Sequence, residues 1–115
     1  MKAVTMAATM NESDFNQLAE DTMLAIEEAI DDCGVDIDYD NSGGILTLEF
    51  DNGSRIIINK QTPLTQLWVA ARSGGFHFDY DAEAKCWRLQ GKGDELFLCL
   101  ARYCSEQSGE TVTFE

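Results

Sequence analysis

Residues 35–89 divide into short strand-like stretches, most of them separated by turn sequences or by Pro63, and apolar and polar residues alternate most clearly at residues 35–40 and 76–81. Alternation with a period of two is typical of half-buried β-strands. The stretches cover residues 35–40, 45–50, 54–59, 64–71, 76–81 and 86–89. Asn52-Gly53 joins two of them and is a strong signal for a β-hairpin. Strands joined by turns this short predict an antiparallel sheet of five or six strands.

Two stretches with helical periodicity flank these strands. Residues 12–33 carry apolar or small residues at intervals of three and four, and Asn11 or Ser13 can cap the start of this amphipathic helix. A second helix follows Asp94, which can cap it, and ends near residue 108. Helices that bracket a run of strands predict an α+β fold. We expect a two-layer α-β sandwich with both helices on one face of the sheet and the other face open to solvent.

The length of 115 residues predicts a single domain over residues 10–115, preceded by a flexible extension at residues 1–9. No stretch is long and apolar enough to cross a membrane, and the N-terminal segment is too short and too weakly apolar for a signal peptide. The cysteines show neither C-x-x-C nor zinc-site spacing, so free thiols and a reducing cytoplasm are expected. They are Cys33, Cys86, Cys99 and Cys104.

The acidic residues are concentrated in one half of the chain. The formal net charge is −13, from 21 Asp and Glu against 8 Lys and Arg. Residues 11–51 hold thirteen acids and no Lys or Arg, whereas residues 52–115 hold eight acids and seven bases. Such a field repels nucleic acids and anionic membranes and attracts cations and basic protein surfaces. We therefore exclude nucleic acids and membranes as partners and expect an interaction surface in the first half.

The acids of the first helix form two adjacent rows. One row contains Glu20, Glu27 and Asp31, and the other contains Asp21, Glu28 and Asp32. Like charges four residues apart destabilise a helix by about 0.2–0.5 kcal/mol per pair, so the arrangement indicates a function beyond solubility. Asp36, Asp38 and Asp40 share one side of the following strand. If that strand packs beside the helix, the two sets form one continuous anionic ridge.

Carboxylate oxygens are hard ligands that suit calcium, magnesium, manganese and iron. Asp36-x-Asp38-x-Asp40 resembles the start of an EF-hand loop, but Asn41 and Thr47 occupy the positions that require Gly and Glu. No Glu-x-x-His element of a di-iron site is present. Any metal is therefore expected to be weakly held and exposed to water. The sequence also contains no catalytic motif, so no enzymatic chemistry is expected.

Residues 42–79, SGGILTLEFDNGSRIIINKQTPLTQLWVAARSGGFHFD, closely resemble the central sheet of the bacterial frataxin family, the CyaY proteins. The resemblance extends from Met10 to Glu115. It implies the frataxin α-β sandwich and weak, reversible binding of iron (Fe2+ or Fe3+), with other divalent cations possible. The implied iron ligands are Glu27, Glu28, Asp31, Asp32, Asp36, Asp38 and Asp40, with Glu20 and Asp21 as further candidates.

The resemblance also implies a role in iron–sulfur cluster assembly, with the cysteine desulfurase and the scaffold protein as partners. The acidic ridge would face a basic patch of the desulfurase, and Asn59, Gln61 and Trp68 on the open sheet face would contact the desulfurase–scaffold assembly. Taken on its own, Trp68 fits the core and an interface equally well. We expect a monomer that can oligomerise with iron.

Three functions are compatible with these observations. The first is an iron-binding regulator or metallochaperone of cluster assembly that has no chemistry of its own. The second is an adaptor whose ridge binds only a basic protein surface, with iron incidental. The third is a ferroxidase, because clustered carboxylates could stabilise the higher iron charge, although the lack of an enclosed site argues against it.

Overall fold

The computed structural model describes residues 11–114, so the predicted extension at residues 1–9 lies outside the described residues. The elements are α1 (Glu12–Asp32), β1 (Ile37–Ser42), β2 (Ile45–Phe50), β3 (Arg55–Gln61), β4 (Gln66–Ala71), β5 (Gly74–Asp81), β6 (Cys86–Leu89) and α2 (Leu96–Ser108). A short 3-10 helix at Thr62–Leu64 connects β3 to β4. The strands form one antiparallel sheet in the order β1-β2-β3-β4-β5-β6. The predicted α-β sandwich is confirmed, with six strands.

The core lies between the helices and one face of the sheet, here called the inner face. Alternate strand residues such as Leu48, Ile58 and Val69 are fully buried there. They form a single apolar cluster with the buried stripe of α1 and that of α2. These stripes comprise Phe15, Ala19, Met23, Ile26 and Ile30 of α1, and Leu96, Cys99, Leu100, Tyr103 and Cys104 of α2. The opposite, open face carries neither of the two helices described.

Element boundaries differ from the predictions where turns and caps are involved. β1 begins at Ile37 rather than at residue 35, because Gly34 takes a left-handed conformation (φ 80°) in the turn after α1. Asn11 caps α1 through its side chain, as expected. The predicted cap of α2 at Asp94 is wrong. The carboxylate of Glu95 accepts a hydrogen bond from the amide of Phe97 instead, at 3.0 Å.

A buried polar side chain, Gln107, fastens the end of α2 to two loops. Its Oε1 accepts a hydrogen bond from the amide of Arg72 at 2.9 Å. Its Nε2 donates to Ser54 Oγ at 3.1 Å and to the carbonyl oxygen of Arg55 at 3.2 Å. A side chain that is 3 % exposed would otherwise lose its hydrogen bonds to water on folding. These contacts therefore fix the position of α2 over the sheet.

A second buried hydrogen bond fixes α1. The indole of Trp87 on β6 donates from Nε1 to Thr22 Oγ1 at 2.9 Å, and both residues are buried. Thr22 in turn donates to the carbonyl oxygen of Leu18 at 2.8 Å. The rotation of α1 about its own axis is thus set by a directional contact as well as by its apolar stripe.

We predict that Thr22→Val lowers the free energy of unfolding by about 1–3 kcal/mol, because the substitution keeps the shape but leaves a buried indole N–H without an acceptor. Denaturant unfolding measures the change. Thr47→Val is the matched control: Thr47 lies on the open face of β2, makes no side-chain hydrogen bond within residues 11–114, and should change stability by less than about 0.5 kcal/mol. Equal stability of the two variants would show that the Trp87–Thr22 contact does not hold α1.

Candidate metal- and partner-binding surface

The acids of α1 lie on the side of the helix away from its buried stripe, as the helical period predicts. We call Glu20, Glu27 and Asp31 the edge row, because it lies beside the edge strand β1. We call Asp21, Glu28 and Asp32 the outer row. All six are exposed except Glu27, which is half-buried.

Each member of the edge row has a polar partner in the sheet. Glu27 Oε2 accepts a hydrogen bond from Asn41 Nδ2 at 2.8 Å, and Asp31 Oδ2 accepts one from the Tyr39 hydroxyl at 3.0 Å. Lys60 Nζ lies 4.0 Å from Glu20 Oε2. The hydrogen bond to Asp31 raises the pKa of the Tyr39 phenol. The charges of the edge row are therefore partly balanced by the protein itself.

The outer row is less well balanced. Asp21 accepts a hydrogen bond from Gln17 one turn earlier, at 3.0 Å. The side chains of Glu28 and Asp32 form no hydrogen bond or ion pair with any residue between 11 and 114. The last turn of α1 contains no basic residue, although the helix dipole places its negative end there. The carboxylates of Asp31 and Asp32 therefore oppose the dipole.

The strand acids do not extend the helix rows. Ile37 is buried, and Tyr39 and Asn41 follow it on the same side of β1 and reach α1. The period of two therefore turns Asp38 and Asp40 to the opposite, open face. Asp36 lies before β1, in the segment that follows α1. Asp38 and Asp40 therefore do not lie on the helix side of β1, because Tyr39 and Asn41 occupy that side.

On the open face the strand acids belong to a different cluster. Asp38 pairs in register with Glu49 on β2, and together with Asp40 they line a shallow depression of about 230 Å3. The guanidinium of Arg55 lies 3.2 Å from Glu49 Oε2 at this depression. The acids of α1 and the cluster of Asp38, Asp40 and Glu49 therefore lie on opposite sides of β1.

The carboxylates of both surfaces provide hard oxygen ligands but no enclosed cage. Within residues 11–114, no group of three or more His, Cys, Asp or Glu side chains is arranged to hold a metal ion. A cation at these exposed oxygens would keep much of its hydration shell, because one or two carboxylates cannot complete a coordination sphere. The donor set suits a hard cation that is held weakly and exchanges with water.

The open face also carries a polar and aromatic patch. Asn59, Trp68 and His77 lie side by side in register on β3, β4 and β5. Trp68 is half-buried, and its ring centroid lies 6.4 Å from that of His77. A Cβ on Gly75 would lie 3.1 Å from Trp68 Nε1, so the glycine leaves room for the indole to lie against the sheet. Trp68 therefore belongs to the open surface and not to the core.

Gln61 continues this patch toward one end of the sheet. It pairs in register with Gln66, whose Nε2 donates to Asp79 Oδ1 at 2.8 Å. Asn59, Gln61 and Trp68 thus share the open face, as predicted for a partner contact. Nδ1 of His77 is buried within the patch and has no hydrogen-bond partner among residues 11–114.

The state of the cysteines and the character of the helices can also be compared with the predictions. All four cysteines are free: Cys99 and Cys104 are buried, and Cys33 and Cys86 are half-buried. Burial raises the pKa of the Cys104 thiol to about 12. Over the described range 11–114, no helix has the length and apolarity needed to cross a membrane.

Comparison with known proteins identifies the architecture that carries these surfaces. The chain matches the frataxin-like domain over residues 8–110. This chain belongs to the frataxin family. The resemblance found in the sequence is thereby confirmed.

Bacterial relatives within the frataxin family are similar along most of their length. The iron-sulfur cluster assembly protein CyaY of Pseudomonas aeruginosa is 49% identical in sequence, and the match covers 91% of this chain and 97% of the length of that protein. The CyaY protein of Photobacterium profundum is 45% identical, and the match covers 90% of this chain and 96% of the length of that protein. The solved structure of frataxin from Psychromonas ingrahamii superposes with a TM-score of 0.84 at 44% identity and covers 92% of this chain and 99% of that one. Yeast frataxin, at 24% identity and a TM-score of 0.61, shares the fold over 82% of this chain and 80% of its own.

Two features of the candidate site were missed by the sequence analysis. Tyr39 and Asn41 partner the edge row, and Glu49 joins the strand acids on the open face. The alternation in β1 contained the signal for the first feature, because Ile37 marks the inward side and Tyr39 and Asn41 share it. The second depends on the register between β1 and β2, which the turn between them sets.

We predict that the two rows respond differently to neutralisation. Glu28→Gln with Asp32→Asn should raise the free energy of unfolding by about 0.3–1 kcal/mol, because it removes an unrelieved like-charge contact and a charge opposed to the helix dipole. Glu27→Gln with Asp31→Asn removes the same charge but weakens the hydrogen bonds from Asn41 and Tyr39, so it should give a smaller gain or none. Denaturant unfolding at neutral pH compares the pairs. A loss of stability in the outer-row variant would mean that these acids hold the fold.

Proposed function

We propose that this protein binds iron weakly through the acids of α1 and either supplies iron to, or regulates, the cysteine desulfurase–scaffold complex of iron–sulfur cluster assembly in the cytoplasm. Its membership of the frataxin family, and the names of its bacterial relatives, support the role in iron–sulfur cluster assembly. The protein has no enzymatic chemistry of its own in this proposal. Iron is a cargo that is bound and released.

The observation that carries the proposal is that two acids of the outer row have no compensating partner. Glu28 and Asp32 lie one turn apart and exposed, with no partner inside residues 11–114 and no basic residue in the last turn of α1. Mixed charges would give the same solubility without the repulsion. A surface kept at a cost in stability is best explained by a ligand that neutralises it, and a cation or a basic protein surface does so.

Iron fits this surface because carboxylates prefer hard cations and because exposed oxygens release a cation readily. The outer row is the better candidate for first binding, since its carboxylates are not already hydrogen-bonded to the sheet as those of Glu27 and Asp31 are. Asp38 and Asp40, on the open face, would form a second and separate site. Other divalent cations would compete at both.

The acids of α1 and the polar and aromatic patch on the open face suggest two contacts with the assembly machinery. The α1 acids would meet a basic patch of the desulfurase, where long-range attraction speeds association. Asn59, Gln61 and Trp68 would contact the desulfurase–scaffold assembly through the open face, where a tryptophan over polar neighbours is typical of an interface anchor. Because the patches lie on different sides of the domain, one molecule could touch two partners.

A second candidate function is an adaptor that modulates the desulfurase by contact alone. The absence of any metal-holding group of three ligands among residues 11–114 favours it, because the acids would then serve only as an electrostatic surface. The two candidates differ in whether iron affects the α1 residues at all.

The first test is a metal titration followed by amide chemical shifts and, for Fe(II) under anaerobic conditions, by paramagnetic broadening. We predict that the largest effects fall on the amides of Glu28 to Asp32, and that Glu28→Gln with Asp32→Asn weakens binding severalfold. Asp38→Asn with Asp40→Asn is the charge-matched control and should weaken this response much less. If the α1 amides do not respond to Fe(II) or Fe(III), the metal role is excluded and the adaptor remains.

The second test measures binding to the cysteine desulfurase. We predict that Asp31→Lys with Asp32→Lys weakens binding at least about tenfold, and that the affinity of the unmodified protein falls as salt is raised from about 0.05 to 0.5 M. Glu106→Lys with Glu110→Lys changes the net charge equally at exposed positions near the end of α2, so it should have a much smaller effect. Equal losses for the two variants would mean that net charge, and not the α1 surface, controls docking.

A further inference from the structure

A groove runs between α1 and the start of α2. Its volume is about 510 Å3, with α1 on one side and Glu95, Phe97 and Phe114 on the other. Neither helix fills it, because the buried stripe of α2 faces the sheet and leaves Phe97 beside the stripe, half-buried. The groove is a feature of the helix layer and is separate from the open face of the sheet.

Four of the seven residues that line the groove are apolar, and we call them its floor: Ala25, Ala29, Phe97 and Phe114. Ala25 and Ala29 lie one turn apart on α1, and their small side chains form the α1 side of the floor. Opposite them, the rings of Phe97 and Phe114 meet edge to face, with centroids 6.4 Å apart and planes at 86°. Together the two rings present an apolar surface to the groove.

The groove continues past Ala25 and Phe97 into a second depression of about 310 Å3. Leu18, Tyr80 and Trp87 are among the residues that line this part. Ala25, Glu95 and Phe97 line both depressions, so the two depressions adjoin. Together they offer room for several consecutive residues of an extended or helical segment.

The rim of the first section is anionic on both sides. Glu28 and Asp32 stand on the α1 side, and Glu95 stands on the α2 side, where its carboxylate is fixed by the hydrogen bond from the amide of Phe97. Among residues 11–114, no Lys or Arg lines this section, and Lys85 is the one base that lines the second. A neutral apolar ligand would partly desolvate these carboxylates without pairing them, which is costly. A purely basic ligand would leave the apolar floor in contact with water.

We propose that this groove binds a short basic segment of a partner protein, with an apolar side chain seated on the floor between Lys or Arg residues that pair with the rim. Charge complementarity selects the basic residues, and the apolar floor selects the side chain between them. An apolar anchor surrounded by polar contacts is the usual arrangement of a protein interface. The inference shares Glu28 and Asp32 with the proposed function, but it goes beyond that function because it requires neither iron nor cluster assembly.

The probe is a capped peptide with two leucines between two pairs of lysines, and its comparison is the same peptide with serine in place of both leucines. Titration of the isotopically labelled protein, followed by amide chemical shifts without iron or desulfurase, measures both affinities. We expect the leucine peptide to bind at least about tenfold more tightly, because only it fills the floor. The shifts should centre on Ala25, Ala29, Phe97 and Phe114.

Two pairs of variants separate the groove from general electrostatics. Ala25→Gln places a neutral polar chain over the floor at an exposed position and should weaken binding of the leucine peptide at least about fivefold, whereas Leu24→Gln, outside the groove, should change it less than about twofold. Glu28→Gln with Asp32→Asn should weaken binding to a similar extent, and Glu20→Gln with Glu27→Gln, which removes the same charge from the edge row, much less. Thermal unfolding confirms that each variant is folded.

Equal affinity for the two peptides, equal effects of the two acid pairs, shifts centred on Trp68, or no saturable binding would each overturn the proposal. The peptide titration and the iron titration have independent readouts. A negative result in one therefore leaves the other proposal standing.

Discussion

The packing of the apolar stripe of α1 on the inner face of the sheet determines what the rest of the surface can do. Phe15, Met23 and Ile26 are almost completely buried against the sheet, and the bond from Trp87 to Thr22 adds a directional constraint. With that rotation fixed, the helical period determines where the acids lie. One row faces the edge strand, and the other faces the groove beside α2. The candidate surface is thus a consequence of the core.

The edge strand β1 shows where sequence reasoning succeeds and where it stops. The two rows of α1 follow from a period of 3.6 residues within one element, and the structure contains them as predicted. The position of Asp38 and Asp40 relative to those rows depends on which side of β1 faces the helix, which is a tertiary property. The burial of Ile37 decides it and gives that side to Tyr39 and Asn41. The period within one element therefore predicts which of its side chains share a face. Which face of one element meets a second element can be predicted only when a buried residue, here Ile37, marks the inward side.

Trp68 and Glu95 illustrate the same limit at smaller scale. The sequence left Trp68 between core and interface, because an indole is apolar enough for one and polar enough for the other. Its neighbours Leu67 and Val69 are fully buried, so alternation sends Trp68 to the open face, and Gly75 provides the space beneath it. Adjacent acids at 94 and 95 could each cap α2, and only the backbone path, in which the carbonyl of Asp94 accepts from the amide of Leu89 at 2.7 Å, leaves Glu95 in the capping position.

The outer row is central to both binding proposals, and this has a thermodynamic consequence. A cation on Glu28 and Asp32 reduces the negative charge that attracts a basic partner segment, and a bound lysine or arginine likewise occupies the carboxylates that would hold the cation. Binding of the two ligands is then negatively coupled, and linkage requires each to weaken the other by the same factor. The edge row is a poorer alternative site for either ligand, because Asn41 and Tyr39 already form hydrogen bonds with Glu27 and Asp31. In the proposed function, a desulfurase docked through the outer row would therefore favour release of iron from it.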